Sequence, residues 1–317
     1  MALPPFDAYV PPPLPASEGL GLVTCVPERY AALAWGMLAS LRRLSDLPVE
    51  VHHAGDELSE RSRDRLREHD VAFVDTAATL DLPAEDLRGY QLKPHAIAAS
   101  RFSQVLLADA DLLFFDRPER ALEPPSPGVF LFRDRGFEDR RLRLPKASML
   151  RLRRAFPGLD LPPLHRRHHA EAGLVAWDKD RVPLRALLYL NGPARPWLYR
   201  WFFGDKETYW IAAQLEGPGA AFSPLRPGAI VGRDPESGRL RAPQMLHHHP
   251  VDQTPFWAQG GHLVRKGGRR WPVRLETTTG ADLRWKSPWR FDGPTQPLDA
   301  PWLEEIGAEV RRQFAGG

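Results

Sequence analysis

The sequence feature that most constrains the fold is the run Q-V-L-L-A-D-A-D-L-L-F-F-D-R-P at positions 104–118. Val105–Ala108 is a short unbroken apolar stretch, which is typical of a strand buried on both faces of a mostly parallel sheet. The stretch ends in Asp109-Ala110-Asp111, and two carboxylates at the end of a buried strand are costly unless something neutralises them. A divalent cation does so, because Mg²⁺ or Mn²⁺ takes one or two carboxylates together with phosphate oxygens of a substrate. Since open α/β sheets bind ligands at the carboxyl ends of their strands, the run predicts a metal or nucleotide site, with solvated loop carboxylates as the alternative.

Strands and helices alternate along the first part of the chain. The apolar segments 19–26, 49–52 and 71–74 read as strands. Between them, 30–44 has apolar residues at helical spacing and 59–69 reads as a charged surface helix. This order predicts an α/β protein with a Rossmann-like, mostly parallel central sheet and flanking helices. No G-x-G-x-x-G follows the first strand, which disfavours a dinucleotide fold of the NAD type.

Composition narrows the classes of protein to which the chain can belong. Its 317 residues, 43% of them hydrophobic, suffice for one large domain, and a net charge of +3 is too small to imply nucleic acid. The single cysteine, Cys25, excludes an intrachain disulfide framework and fits a reducing compartment. No apolar run reaches the ~18–20 residues of a membrane span, and the N-terminus lacks the basic and apolar regions of a signal peptide. We therefore expect a cytoplasmic protein without a transmembrane segment.

We predict three parts in the chain. Residues 1–18 form a proline-rich N-terminal extension, either strapped to the surface or disordered. Residues 19–270 form the main domain, and 271–317 form a C-terminal extension packed on it. The C-terminal third is rich in Pro, Gly and Trp and poor in periodicity, so we expect it to be irregular.

Two further segments carry charged residues with two interpretations each. Residues 90–100 predict a helix with Pro94 in its first turn, which places Lys93 near the helix N-terminus, although the sequence alone favours a solvent-facing lysine there. Asp205 and Glu207 open a helix that runs to Leu215, where the helix dipole favours acids. Helix capping alone could account for both.

Histidines cluster in two places. His165, His168 and His169 have a spacing that invites zinc, but no cysteine is near and arginines lie among them, which disfavours it. The triplet 247–249 and His262 come later, and one late histidine could complete an octahedron begun by the Asp-X-Asp pair. Adjacent histidines cannot all face one metal from a regular strand.

The segment 133–156 is basic, with nine Lys or Arg against three acids. A solvated helical face explains this, and a surface for an anionic acceptor, lipid headgroups or nucleic acid is the alternative. The lack of interleaved aromatic residues counts against single-stranded nucleic acid.

Five motifs occur in an order that resembles a known family. They are L-V-T-C-V-P-E-R-Y (22–30), S-L-R-R-L-S-D-L-P-V-E-V (40–51), Q-L-K-P-H-A-I-A-A-S-R-F-S-Q-V-L-L-A-D-A-D-L-L-F-F-D-R-P (91–118), E-A-G-L-V-A-W-D-K (171–179) and G-D-K-E-T-Y-W-I-A (204–212). Together they resemble the fungal α-1,3-mannosyltransferase family of the Golgi and its bacterial relatives. More distantly they are similar to glycogenin-type retaining glycosyltransferases with the GT-A fold. The resemblance spans about 19–266 and implies a single GT-A domain over 19–270.

The resemblance implies a role for each matched residue. The metal, Mn²⁺ or Mg²⁺, would lie between Asp109, Asp111 and the diphosphate of a nucleotide-sugar donor, and a late histidine would complete its ligands. That histidine is His262, with His247 or His249 as the alternative. The other residues that the resemblance assigns to the donor are Lys93, Val23, Thr24, Cys25, Gly173, Gly204, Lys206 and Lys266.

Transfer of a hexose with retention of configuration would follow from the same resemblance. The donor would be GDP-mannose, or a UDP-glucose or UDP-galactose, and the acceptor a glycan, a lipid-linked sugar or a protein, with peripheral membrane contact possible and no nucleic acid as partner. The candidates for the catalytic carboxylate are Asp205 and Glu171, acting either as a nucleophile or as a stabiliser of an oxocarbenium ion.

Two other functions compete with this one. A haloacid-dehalogenase-type phosphohydrolase also places Asp-X-Asp at a strand end, but there the pair follows the first core strand and precedes a small polar or β-branched residue. Here it follows at least three strands and precedes Leu112 and Leu113. A non-enzymatic protein that binds polyanions through 133–156 is the other alternative, and its binding would depend steeply on salt.

Overall fold

The computed structural model describes residues 3–135, 146–160, 170–233, 240–260, 274–278, 284–287, 290–292 and 296–315. The late candidates His262 and Lys266 lie outside these residues, as do the three histidines considered for zinc. Positions 136–145 of the basic segment are also outside them.

Within the described residues, helices and strands alternate through the first two thirds of the chain, and strands dominate the last third. The helices are α1 (Ala31–Arg42), α2 (Glu60–Arg67), α3 (Thr76–Leu80), α4 (Leu92–Ala99), α5 (Lys146–Ala155), α6 (Arg185–Asn191), α7 (Arg195–Leu198), α8 (Thr208–Glu216) and α9 (Trp302–Ala315). The first eight strands are β1 (Leu20–Cys25), β2 (Val49–His53), β3 (Val71–Asp75), β4 (Gln104–Asp109), β5 (Leu112–Phe114), β6 (Val129–Arg133), β7 (Ala170–Asp178) and β8 (Ala221–Phe222). The later strands are β9 (Gly228–Arg233), β10 (Leu240–His248), β11 (Pro255–Gln259), β12 (Arg274–Thr278), β13 (Arg284–Ser287), β14 (Arg290–Asp292) and β15 (Gln296–Pro297).

The described strands build a seven-stranded central sheet in the order β3-β2-β1-β4-β7-β6-β8. Every strand runs in the same direction except β7, which is antiparallel to both of its neighbours. The predicted α/β class with a mostly parallel central sheet is therefore confirmed. Because β7 is reversed, its first residues lie at the edge where the other strands end.

Alternate residues of the central strands enter two apolar cores. Val23, Val105 and Leu107 face the core beneath α4, α6 and α8. Leu22 and Leu106 face the opposite core, beneath α1 and α2. Burial on both faces is the reason that these strands read as unbroken apolar runs in the sequence.

The C-terminal third is more ordered than the sequence predicted. Within the described residues, β9, β10, β11, β12 and β15 join β5 in a second sheet, in the order β15-β12-β9-β10-β11-β5, and β13 pairs with β14. Helix α9 packs on α1 through Leu303, Ile306 and Val310. The strand pattern was missed because β10 is irregular: its register with β9 shifts between Arg241 and Gln244, around Pro243. Proline has no amide hydrogen for the ladder, and a bulge breaks the two-residue alternation.

The N-terminal extension is strapped to the surface of the main domain along α6. Phe6 and Tyr9 pack against the ring of Tyr189, at centroid distances of 5.1 and 5.6 Å. The Arg185 guanidinium donates to the backbone oxygens of Phe6, Asp7 and Tyr9. Of the two states expected for this segment, the structure has the ordered one from residue 3 onward. The predicted boundaries at 18 and 270 stay predictions.

Candidate functional site

One edge of the central sheet gathers charged side chains from six elements. β1, β4 and β6 end there, in Cys25, Asp109 and the residues after Arg133. The reversed β7 begins there and brings Glu171. Helices α4 and α8 also begin at this edge, each just after a loop. Because parallel strands present their carboxyl ends together, this edge is where an α/β sheet holds its ligand.

The Asp-X-Asp pair lies at the junction of the two sheets. Asp109 ends β4 beside Cys25 of β1. The chain turns at Ala110 and Asp111 and continues as β5, which pairs with β11 of the second sheet. The backbone oxygen of Asp111 accepts a hydrogen bond from the amide of Gly260 at 2.5 Å. The central sheet thus positions Asp109, and the second sheet positions Asp111.

Lys93 joins the Asp-X-Asp pair to the loop before α8. Its Nζ lies 2.5 Å from Asp109 Oδ1 and 3.7 Å from Asp205 Oδ2. Asp205 also accepts a hydrogen bond of 2.6 Å from the hydroxyl of Tyr209, in the first turn of α8. Pro94 occupies the first turn of α4 as predicted, so Lys93 emerges at the helix N-terminus rather than on a solvent face. We call Lys93, Asp109, Asp111 and Asp205 the Lys93 cluster.

The charges of this cluster shift one another's pKa values. Burial raises the pKa of Asp109 to about 7; the ammonium of Lys93 lowers it, and the nearby carboxylate of Asp111 raises it again. Burial also opposes the charge of Lys93, but Asp109 and Asp205 outweigh it and raise the pKa of Lys93 above its usual value. Lys93 is therefore a permanent cation that partly compensates the carboxylates around it.

Lys206 joins a second pair of carboxylates. Its Nζ donates to Glu171 Oε2 at 2.6 Å and to Asp134 Oδ2 at 3.2 Å. Gln259 of β11 donates to the other oxygen of Glu171 at 3.4 Å, and Arg135 Nε lies 3.7 Å from Asp134 Oδ1. Burial opposes the charge of Lys206, but the two carboxylates raise its pKa above its usual value. We call Lys206, Arg135, Asp134 and Glu171 the Lys206 cluster.

Both clusters line one cavity of about 1180 Å³. Cys25, Tyr30 and Glu57 line it beside the end of β1, and Tyr90 and Phe203 line it through the loops before α4 and α8. This volume exceeds the 300–1,000 Å³ that is typical of small-molecule pockets. The cavity is large enough for a ligand with several connected parts.

The structure brings most of the predicted site residues together, with exceptions among the first-strand and glycine residues. Cys25 lines the cavity, whereas Val23 and Thr24 are fully buried in β1 beneath it. Gly173 lies against Trp257, whose ring would be 3.0 Å from a Cβ added there. Gly204 has φ +62°, and an added Cβ would lie 2.6 Å from Cγ of Tyr90. Both glycines permit close packing around the cavity rather than lining it.

Neither described histidine proposed as a metal ligand lines the cavity. His249 is held by Arg120, whose guanidinium lies 3.1 Å from its Nδ1 and whose backbone oxygen lies 3.1 Å from its Nε2. His247 is buried and stacks on Trp257 at a centroid distance of 4.1 Å. Burial holds the pKa of His247 well below its usual range. Their positions therefore do not match the predicted alternative role as metal ligands beside the Asp-X-Asp pair. His249 contacts Arg120 instead, and His247 is buried against Trp257.

Capping does not explain the acids before α8. Glu207 is the N-cap residue but makes no side-chain capping bond, and its carboxylate accepts from the indole of Trp210. Asp205 accepts from Tyr209 instead of a backbone amide.

Sequence reasoning missed Asp134, Arg135, Gln244 and Gln259 as cavity residues. A signal for the first two was present: D-R follows the apolar strand V-F-L-F-R, as Asp109 follows Val105–Ala108. The two glutamines lie on strands of the second sheet, whose pattern the sequence obscured.

The donor set at the Asp-X-Asp pair fits a divalent cation. Asp109 and Asp111 are carboxylates separated by one residue, and burial and the charge of Asp111 both raise the pKa of Asp109, which a cation would oppose. Within the described ranges no three His, Cys, Asp or Glu side chains form a complete metal-binding group. Two protein carboxylates completed by substrate oxygens is an arrangement that Mg²⁺ and Mn²⁺ accept.

Comparisons with known proteins agree with this geometry. A family model described as "Mannosyltransferase putative" matches residues 19–155. The α-1,3-mannosyltransferase MNT3 of Saccharomyces cerevisiae is 25% identical over 299 residues, which cover 77% of this chain and 47% of the yeast protein. The chain thus spans about half the length of that curated relative.

Solved structures similar to the chain include two glycosyltransferases. Mouse xyloside xylosyltransferase 1 has a TM-score of 0.40 and 16% identity over 63% of this chain and 82% of its own. The galactosyltransferase LgtC, solved with donor and acceptor sugar analogues, has a TM-score of 0.39 and 16% identity over 64% of this chain and 73% of its own.

The family model and the yeast relative show that the chain is similar to mannosyltransferases, a class of glycosyltransferase. Within that class they confirm the predicted resemblance to the α-1,3-mannosyltransferases. None of the helices in the described ranges combines the length and the apolar character that a membrane crossing requires.

Proposed function

We propose that the chain transfers a hexose from a nucleotide sugar to an acceptor hydroxyl, with Mn²⁺ or Mg²⁺ at Asp109 and Asp111. The observation that carries the proposal is the Lys93 cluster itself. A lysine, an Asp-X-Asp pair and a further buried carboxylate come from three separate stretches of sequence and meet in one cavity. A phosphohydrolase or a surface that binds polyanions does not call for this combination inside a deep pocket.

Lys93 is placed to bind the diphosphate. Its ammonium stays charged at all physiological pH values, because its two carboxylate neighbours raise its pKa. A fixed positive charge at this point compensates the negative charge that develops on the departing nucleoside diphosphate. A bound divalent cation would act as a Lewis acid and neutralise the same negative charge on the diphosphate.

Asp205 is the carboxylate that we assign to the anomeric carbon. It contacts Lys93, which we assign to the diphosphate, so we expect it to lie where the sugar joins the diphosphate. The Tyr209 hydroxyl donates a hydrogen bond to it and holds it in position. A negative charge there stabilises the positive charge that grows on the anomeric carbon. In the transfer, the bond from that carbon to the diphosphate oxygen breaks and a bond to the acceptor oxygen forms. The acceptor hydroxyl gives its proton to the departing diphosphate.

Glu171 is assigned to binding the hydroxyl groups of the donor sugar. Lys206 and Gln259 already engage its two oxygens, which makes it a fixed acceptor rather than a free nucleophile. Retention of configuration and a mannose donor are supported by the likeness to the yeast α-1,3-mannosyltransferase. GDP-mannose is therefore the first donor to test, and UDP-glucose and UDP-galactose are next.

The test is calorimetric titration with GDP and with UDP, each with and without Mn²⁺. We expect one nucleotide to bind, and to bind only with the metal. Asp111→Asn should reduce metal-dependent affinity at least about tenfold, because it removes a charged ligand. Asp46→Asn, an exposed carboxylate in the loop before β2, is the matched control and should change nothing.

Two outcomes would contradict the proposal. Unchanged nucleotide affinity in folded Asp111→Asn would remove the Asp-X-Asp pair from donor binding. If neither nucleotide bound the unmodified chain, the proposal that the chain is a transferase would be wrong.

A further inference from the structure

Two aromatic rings meet at the mouth of the cavity. Tyr90 precedes α4 and Phe203 precedes α8, and their ring centroids lie 5.4 Å apart at an angle of 57°. Both line the cavity, yet each stays about half exposed, at 46% and 51%. Large apolar side chains exposed at the rim of a polar pocket are a feature of binding sites rather than of cores.

The backbone on both sides is shaped to hold these rings. Gly89 (φ +91°) and Gly204 (φ +62°) adopt conformations that favour glycine, one directly before Tyr90 and the other directly after Phe203. The absence of a side chain at Gly204 lets Tyr90 lie against its backbone, since a Cβ there would come within 2.6 Å of the ring. The two rings are thus fixed by turns, not left on a free loop.

We propose that Tyr90 and Phe203 form a subsite for the acceptor, and that this acceptor is a neutral pyranose ring. The proposal rests on the proposed transferase function and names its acceptor class. The C–H groups on one face of a pyranose carry partial positive charge, and the negative face of an aromatic ring attracts them. A hexose stacked there keeps its hydroxyls directed at the polar walls.

The position of the rings favours the acceptor over the other parts of the substrate. Tyr90 lies three residues before Lys93, and Phe203 lies two residues before Asp205. Both rings line the same cavity as Lys93 and Asp205, which lie 3.7 Å apart at the point that we assign to the sugar end of the diphosphate. A nucleoside base is separated from that point by two phosphates. Because the rings face solvent, they suit the molecule that enters last.

The experiment is an NMR titration of the full chain with methyl α-D-mannopyranoside and methyl β-D-glucopyranoside, with and without the nucleotide and Mn²⁺. We expect at least one glycoside to bind, with saturation transfer strongest on the C–H protons of one ring face. Tyr90→Ala should raise the dissociation constant of the glycoside about fivefold or more, and Tyr90→Phe should leave it within about twofold. The nucleotide affinity of both variants should equal that of the unmodified chain.

Val251→Ala is the matched control, because Val251 is 65% exposed but does not line the cavity. The proposal is overturned if no glycoside binds, if Tyr90→Ala leaves glycoside affinity unchanged, or if that variant weakens the nucleotide instead. The last result would assign the rings to the base. A chain that binds glycoside at these rings but binds neither nucleotide would keep the subsite and refute the proposed function.

Discussion

The two lysine clusters of the cavity have similar parts and different charge balances. Each centres on a lysine whose side chain is 17% exposed and which contacts two carboxylates. Among the described residues, the Lys206 cluster sets two carboxylates against Lys206 and Arg135, whereas the Lys93 cluster sets three carboxylates against one ammonium. The Lys206 cluster thus has a second cation, Arg135, near its carboxylates, whereas in the Lys93 cluster burial and the neighbouring carboxylate of Asp111 raise the pKa of Asp109.

This difference indicates which cluster would bind a charged ligand. The carboxylates of the Lys206 cluster are 2% and 3% exposed, and their contacts are made by the protein. Asp109 is 23% exposed, and burial together with the charge of Asp111 raises its pKa to about 7 against the opposing effect of Lys93. In the proposed function a cation and a diphosphate would bind at the Lys93 cluster, whereas the carboxylates of the Lys206 cluster already contact cations and offer hydrogen bonds to the neutral hydroxyls of a sugar.

Removal of Lys206 should have the largest effect on stability. Lys206→Met leaves Asp134 and Glu171 buried with one partner cation fewer, and breaking a buried ion pair costs about 3–5 kcal/mol. Urea unfolding followed by circular dichroism measures the loss. Lys93→Met is the matched control, and we expect it to lose less because Asp109 can take up a proton at neutral pH. Equal losses in the two variants would contradict the distinction between the clusters.

Removal of Lys93 should instead have the larger effect on the ligand. A charge-assisted hydrogen bond contributes about 1.5–3 kcal/mol, so Lys93→Met should weaken binding of the nucleoside diphosphate at least about tenfold. Lys206→Met, provided that it is folded at the temperature used, should weaken it by less. Calorimetry at saturating Mn²⁺ compares the two. The same affinity loss in both variants would show that neither lysine is specific to the diphosphate.

Removal of the Tyr209 hydroxyl tests how Asp205 is held. The hydroxyl donates to Asp205 at 2.6 Å, and its loss costs about 1–2 kcal/mol of positioning. We expect Tyr209→Phe to lower kcat for turnover of the donor about tenfold and to leave its KM unchanged. Tyr199→Phe is the control, because the Tyr199 hydroxyl donates to Asn191 at 2.7 Å. A fall in kcat of the same size in both variants would point to general loosening of the helices.

The Lys93 cluster was predictable because its members carry local signals. Asp109 and Asp111 end an apolar strand, and Pro94 marks the helix start that presents Lys93. Each signal lies within a few residues of the group that it predicts, and the family motifs add Asp205. The central sheet was predictable for the same reason.

Half of the Lys206 cluster was predicted, since the family motifs include Lys206 and Glu171, but Asp134 and Arg135 were missed because the contacts of the cluster join distant strands. Asp134 and Glu171 meet only because β7 runs antiparallel to β6, and Gln259 reaches Glu171 from the second sheet. Strand direction and the pairing of β5 with β11 are tertiary facts without a local pattern. The bulge around Pro243 hid the second sheet, and its residues with it.

A third partly buried lysine, Lys179, predicts a pH dependence of stability that differs from that of the two lysines of the cavity. Lys179 donates to the backbone oxygen of Ser100 at 2.6 Å. Glu50 and Asp180 favour its charge, but burial outweighs them and lowers its pKa to about 8. The unfolded chain, with an ordinary lysine pKa near 10.5, binds more protons than the folded chain between these values. The free energy of unfolding should therefore rise with pH from about 8 to about 10.5 on account of this group.

Lys93 and Lys206 contribute with the opposite sign, because their pKa values are raised: the folded chain keeps protons that the unfolded chain begins to lose as the pH approaches 10.5, so their stabilisation starts to fall there. Lys179→Met should remove a rise on the order of 1 kcal/mol between pH 7.5 and 10, measured as the difference from the unmodified chain in urea unfolding. The variant should also be the more stable of the two at pH 7.5. If the free energies of unfolding of the variant and of the unmodified chain depended on pH in the same way, Lys179 would have an ordinary pKa. Burial without a carboxylate contact would then not distinguish it from the two lysines of the cavity.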